Sequence, residues 1–391
     1  MEWLTPQRSR FGALAALTLT ATMTTAIVML VGPYSGKYLS FGWDFVCFWY
    51  ASHLSLAGAA ADAYRPAIMA HFEATMLPVK AQLPFFYPPV FLLILTPFAL
   101  LPFLWSLLLF LGLTGAAFAT AIGRASKSRW ILFAALASPA MLRNLASGQN
   151  GMLTAAILGG GLALLDRRPR LAGLLLGCMV IKPQLALAVP FALIFSRRWS
   201  VLGMAALSSL GLIGISVLVL GTQVWAGFFA GASVAQGLLE NPQSNWDFLS
   251  GFFWVRQWGG SLPLSYATAL LIAAGGLGLL FWAQRRGVAP DIERALIVLV
   301  SLLMTPYLLP YDLVVTVFPL AWLLMEWSKT RFPPWGKLVL LIGYALPLAP
   351  WAEFLFKFPT SHWWLCGTIG LVAYVAWTET RATETRLTAK A

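Results

Sequence analysis

The feature that most limits this chain is a succession of apolar runs, most of them close to one bilayer in length, joined by short turns. They lie near 11–32, 85–102, 103–123, 131–147, 150–165, 171–196, 199–220, 263–283, 291–308, 312–327, 336–350 and 362–378. In lipid every backbone N–H and C=O must be paired internally, so such runs fold as helices. Only 10% of the residues are charged, against roughly 25% in a soluble domain. The expected fold is an all-α integral membrane protein: one polytopic domain over 1–391, with about 10–12 full or partial transmembrane helices.

The charged residues set the orientation. Lys and Arg number 26 against 14 Asp and Glu. Many basic residues cluster in turns: Arg124/Lys127/Arg129, Arg167/Arg168/Arg170, Arg197/Arg198 and Arg285/Arg286. That pattern suits the cytoplasmic ends of spans and anionic head groups rather than nucleic acid. Arg8 and Arg10 precede the run at 11–32, read as a retained first span, and place the N-terminus in the cytoplasm. The polar interval 33–85 is then extracytoplasmic. Reading back from Arg285/Arg286 and Arg197/Arg198, residues 221–262 join it as a second outer loop, and 379–391 form a cytoplasmic tail. The middle admits two topologies. If each run from 86 to 196 crosses once, the turns at 124–129 and 167–170 lie outside; re-entrant pairs would return them inside.

No cofactor or metal is expected. Cys47, Cys178 and Cys366 are far apart, His53, His71 and His362 are scattered, and no P-loop, GxGxxG or HExxH occurs.

Ionisable or amide groups in apolar surroundings are the candidate site, because each is costly unless used. Asp44 heads the first outer interval among Trp43, Phe45, Phe48, Trp49 and Tyr50. The plainer reading is a helix cap. Two short amphipathic helices, at 45–57 and 62–76, are expected to lie on the outer leaflet. Lys182 sits inside the run 171–196, before Pro183; a lipid phosphate is a natural partner, a snorkelling lysine the alternative. Gln149 and Asn150, between glycines, suit sugar hydroxyls or helix–helix contacts. Tyr311 and Asp312 follow Pro306 at an outer span end, where Asp312 meets a hydroxyl, or Lys182, or caps a helix. Asn245, Asp247 and Arg256 in the second loop are read as solvated loop residues or, alternatively, as substrate contacts, and Arg65 and Arg143 are further cations for a phosphate. A base, a few cations, amides and aromatics suffice to activate a hydroxyl and hold a leaving phosphate.

With these residues in view, the chain resembles glycosyltransferase family 87, polyprenyl-phosphate-mannose-dependent α-mannosyltransferases of the GT-C superfamily. The likeness runs through Asp44 with Phe48-Trp49-Tyr50-Ala51, Leu56, Gly58 and Tyr64, then Tyr87-Pro88-Pro89 with Pro97. It continues through Gly148-Gln149-Asn150, Gly173 with Lys182-Pro183, Gln243-Ser244-Asn245, and Pro306 with Tyr311-Asp312-Leu313. The resemblance implies a GT-C bundle, a polyprenyl-phosphate sugar donor, a glycan or lipid acceptor, and transfer at the extracytoplasmic face of a bacterial inner membrane. By the same likeness Asp44 is the base of an inverting displacement of a hexose, most simply mannose. Lys182, with Arg65 or Arg143, would hold the departing phosphate, and Tyr87, Gln149 and Asn150 would line the donor. A transporter or lipid flippase is the rival reading; it would carry matching inverted repeats, and none is evident. A non-catalytic scaffold is the second rival.

Overall fold

The computed structural model describes residues 41–76, 83–241, 248–349 and 361–388. The expected first span at 11–32 and the Gln243-Ser244-Asn245 patch, with Asn245 and Asp247, lie outside the described residues. All elements among the described residues are helical, as the apolar patterning requires.

The first outer interval folds into α1 (Trp43–Leu56), a 3₁₀ turn at Ala60–Tyr64, and α2 (Pro66–Met76). Gly58 and Pro66 separate them as expected. α1 buries Trp43, Phe45, Val46, Cys47, Phe48, Ala51, Ser52 and Ser55, leaves Asp44, Trp49, Tyr50, His53 and Leu54 half-buried, and exposes Leu56. Asp44 does not cap it: the cap is Gly42, in the left-handed region at φ 78°.

Next come α3 (Pro89–Leu95), continued by a 3₁₀ turn at Thr96–Leu100, and α4 (Phe103–Ser126). The run 131–147 is two short helices, α5 (Arg129–Leu136) and α6 (Pro139–Ser147), and α7 (Gly151–Ala163) follows. The run 171–196 is broken: α8 (Pro169–Gly177), 3₁₀ turns at Cys178–Ile181 and Pro183–Ala186, then α9 (Ala188–Phe195). Pro183 causes the break, since it lacks an N–H and forces the preceding residue out of helix; Lys182 accordingly takes φ −154°. The backbone groups freed there are recovered from a neighbouring helix. Thr305 Oγ1 donates to the Gln184 carbonyl at 2.5 Å, and the Ala188 N–H donates to Ser301 Oγ at 3.1 Å.

The remaining elements are α10 (Trp199–Leu220), α11 (Thr222–Glu240), α12 (Gly251–Gln257), α13 (Leu262–Arg285), α14 (Pro290–Met304), α15 (Val317–Lys329), α16 (Gly336–Ala345) and α17 (Ser361–Thr388). The second outer interval is thus largely helical rather than loop, and the expected tail at 379–388 continues the last helix. Among the described residues, α4, α10 and α13 are long and apolar enough to cross a membrane. Shorter apolar helices make up the rest.

Contacts bring the basic turns together. Arg198 pairs with Asp166 at 2.7 Å, and Arg294 bonds both Asp166 and Asp291. Lys329 reaches Asp291 at 2.8 Å. The turns at 166–170, 197–198 and 286–290, with the end of α15, therefore share one end of the molecule. The turn at 124–129 joins them: Gly115 lies beside Met152 and Gly160 beside Ala121, so α4 and α7 run parallel and finish together. Segment 169–195 leaves and returns to the same end, turning at Lys182. All the basic turns gather at one end, in the arrangement that positive loops prefer.

Candidate active site

The site forms where four helix breaks meet. Gly148 ends α6 in the left-handed region at φ 74°, and a Cβ there would fall 2.8 Å from that of Phe45. Gly42 N–H donates to the Ala146 carbonyl at 2.8 Å, which clamps the start of α1 against the same turn. At Gly151 a Cβ would meet the Tyr311 carbonyl at 2.3 Å. These glycines let the Gln149-Asn150 turn lie between Asp44 on one side and the 3₁₀ turn at Pro310–Thr316 on the other.

At the turn of segment 169–195, Lys182 Nζ donates to Asp312 Oδ1 at 2.6 Å, with side chains only 3% and 0% exposed. It also donates to Asn150 Oδ1 at 3.3 Å and lies 4.7 Å and 5.3 Å from the ring centres of Tyr311 and Tyr87. A buried ammonium is tolerable only with such company. Tyr87 Oη donates to Gln149 Oε1 at 2.9 Å, and Gln149 favours the charged form of the nearby Asp44 carboxyl. Asp44, Gln149, Tyr87 and Tyr311 are therefore neighbours, with Lys182 over both tyrosine rings.

Asp44 itself is deep in the protein yet partly accessible, the combination expected at the floor of a cleft. Burial pushes its carboxyl up to about 6, against the opposing pull of the Gln149 bond and the Arg143 and Lys182 charges. Arg143 also lies over the Trp43 ring at 5.4 Å. A carboxylate that titrates near neutrality while facing cations fits a general base.

Asp44, Tyr87, Arg143, Gln149, Asn150, Lys182, Tyr311 and Asp312 are thus brought together from segments far apart in the chain. Arg65 is not: it is 70% exposed and pairs with Asp62 at 3.3 Å. Arg256 is not either. Its guanidinium clamps the Glu240 and Gly260 carbonyls at 2.9 Å and 2.5 Å, joining α11 to the turn before α13.

Two residues of the neighbourhood escape sequence reasoning. Asn144 is fully buried, with both amide atoms unpartnered, beside Gly151; only its place in an apolar run could have marked it. Glu73 on α2 is 1% exposed, one oxygen accepting from the Leu83 N–H at 3.0 Å. An acid between Phe72 and Ala74 on an amphipathic helix reads as part of a solvated face, so nothing local marked it.

The fold and site are those of a helical membrane protein in which a carboxylate, cations and amides converge at broken helices. The family described as glycosyltransferase family 87 matches the chain over residues 85–306, more than half of its length. The chain belongs to glycosyltransferase family 87 and is a membrane glycosyltransferase. The matched segment holds Tyr87, Arg143, Gln149, Asn150 and Lys182; Asp44 and Asp312 flank it. No curated protein and no solved structure matches the chain.

Proposed function

We propose that the enzyme transfers a hexose, in the simplest case mannose, from a polyprenyl-phosphate donor to a hydroxyl of a glycan or lipid acceptor, with inversion. The observation that supports this reading is Lys182, buried against Asp312 and over the Tyr87 ring, with Tyr87 bonded to Gln149 beside Asp44. On this reading a base and a cation share one site without being joined as a salt bridge. Asp44 takes the acceptor proton as the acceptor oxygen bonds to the anomeric carbon. The bond from that carbon to the phosphate oxygen breaks, and its electron pair leaves on polyprenyl phosphate. Lys182 turns from Asp312 toward the phosphate, and Arg143 adds a second positive charge. Asn150 keeps a buried Nδ2 without a protein partner, suited to a sugar or phosphate oxygen. The aromatic cluster of Phe48, Phe85, Tyr87 and Phe91 keeps the site dry behind Asp44.

The reaction is assigned to the membrane face away from the basic end, in a bacterial inner membrane. Two measurements test the proposal. Purified protein in vesicles is given undecaprenyl-phosphate mannose, and lipid-linked products are identified by mass spectrometry. Absence of any donor consumption would remove the donor assignment. In a Cys366→Ala background, an impermeant thiol reagent applied to intact cells is expected to label Thr75→Cys and Ser233→Cys but not Gly287→Cys. Labelling of Gly287→Cys with protection of the other two would reverse the orientation.

A further inference from the structure

The Lys182–Asp312 pair joins two broken stretches of chain, and a hydroxyl outside the pair ties those stretches together. Lys182 stands directly before the break at Pro183, and Thr305 caps the end of α14 on the way to Asp312. Thr305 is buried, with Oγ1 2.5 Å from the Gln184 carbonyl and 2.8 Å from the Ser301 carbonyl. The contact with Ser301 is the ordinary back-bond of a helical threonine. The contact with Gln184 is shorter and crosses to the segment that carries Lys182. In a continuous helix the Gln184 carbonyl would accept from the Ala188 N–H. Here that N–H goes to Ser301 Oγ at 3.1 Å, and Thr305 supplies the carbonyl with its donor. Ser301 and Thr305, one turn apart, thus take the two halves of one helical hydrogen bond.

The arm before Lys182 is held in the same manner. Ser208 Oγ and Ser209 Oγ on α10 donate to the Leu174 and Gly177 carbonyls, both at 2.9 Å. Both arms are therefore fastened through their backbone, which leaves the Lys182 side chain as the part able to turn. The proposed chemistry asks its ammonium to leave Asp312 for a phosphate, and a misplacement of about 1 Å can cost about 100-fold. We propose that Thr305 is a positioning residue for the donor phosphate. Its bond to the Gln184 carbonyl fixes the turn from which the Lys182 ammonium reaches that phosphate.

This inference rests on Lys182 as the phosphate cation, and the experiment separates the two. Purified protein in detergent is titrated with undecaprenyl phosphate, the leaving group of the proposed reaction, and with undecaprenol, which lacks the phosphate. Binding is read from tryptophan fluorescence, with melting temperatures measured alongside. Wild type should prefer the phosphate. Thr305→Val removes the hydroxyl and keeps the shape, so it should bind undecaprenyl phosphate about tenfold more weakly and undecaprenol as wild type does. Thr305→Ala should behave alike, so the comparison does not depend on one variant folding. Thr305→Ser keeps the donor and should stay within about threefold of wild type. In a Lys182→Met background, Thr305→Val should cause no further loss, because it acts through the ammonium. A purely structural role predicts a lower melting temperature with the phosphate preference intact, and that result overturns the inference. So does equal loss in the valine and serine variants, or a further tenfold loss in the double variant. Each leaves the role of Lys182 standing if Lys182→Met alone abolishes the preference for phosphate. If wild type binds both lipids equally, or Lys182→Met keeps the preference, the reading of Lys182 fails and this inference falls with it.

Discussion

The molecule holds charged clusters at its two ends, and they are built on opposite plans. At the basic end, Asp166, Arg198, Glu293, Arg294, Asp291, Lys329 and Glu326 form a chain of ion pairs, with Gln284 bonding both Glu293 and the Ala192 carbonyl. Its members are partly exposed and mostly have several partners, so the network ties the helix ends together, although Arg294 Nε and Gln284 Oε1 are buried there without a hydrogen bond among the described residues. At the Lys182 turn, one fully buried pair, Lys182–Asp312, stands among tyrosines and amides. Among the described residues, Asn144 and Asn150 keep unpartnered amide nitrogens near it and Asp44 has no ion pair. The half-exposed network is a fastener, whereas the fully buried pair sits among polar groups that can turn to a substrate. Charge alone does not distinguish them; burial does.

The sharpest way to break this comparison is Asp44→Asn, which keeps the shape and removes the basicity. Transfer should fall ~100- to 10,000-fold, with thermal stability equal to or above wild type because a buried acid is removed. Activity within about threefold of wild type would show that Asp44 is not the base.

Lys182→Met comes next. It should raise the donor concentration needed for half-maximal transfer at least ~10-fold, while Lys182→Arg keeps partial function because guanidinium also binds phosphate. Removing one member of a buried pair costs ~3–5 kcal/mol of stability. The double change Lys182→Met with Asp312→Leu should therefore recover the melting temperature without recovering transfer. If donor dependence is unchanged in Lys182→Met, the phosphate role is wrong.

The pH profile sharpens the same contrast. The Asp44 carboxyl must be ionised to act, and burial holds it at about 6. The transfer rate should be level above that value and fall about tenfold for each unit below it. The stability term has the opposite sign: the fold favours the neutral acid, so stability contributed by Asp44 is lost as pH rises from the ordinary carboxylate range through about 6. Asp44→Asn should abolish that slope. A rate that stays level down to pH 4 would place the titrating base elsewhere.

The smallest effect belongs to the fastener. Arg198→Ala should change transfer per folded molecule by less than about twofold while lowering stability by ~1 kcal/mol, read from thermal unfolding in detergent. A large loss of activity at unchanged stability would mean that the two ends communicate.

Much of this was legible in the chain itself. Apolar runs with scarce charge leave helices as the only spanning structure, because lipid offers no partner for an open backbone. Lys182-Pro183 announced both a break and a buried cation, since proline cannot continue a helix and an ammonium cannot sit in lipid alone. Gly148-Gln149-Asn150-Gly151 announced a tight turn carrying amides. Local pattern could not say where the chain turns back. Whether 171–196 runs through or turns back depends on Asp166 meeting Arg198 and on Ser301 and Thr305 rescuing the broken backbone, contacts between residues far apart in sequence. Nor could it separate Arg65, left at the surface, from Arg143, placed beside Asp44. It missed Glu73 for the same reason: burial is a property of what the other helices cover. The sequence by itself determined the solvent, the element type and the residues too costly to be idle. Tertiary packing alone decided which of them share a site, because only packing sets the distances and the dryness on which their chemistry depends.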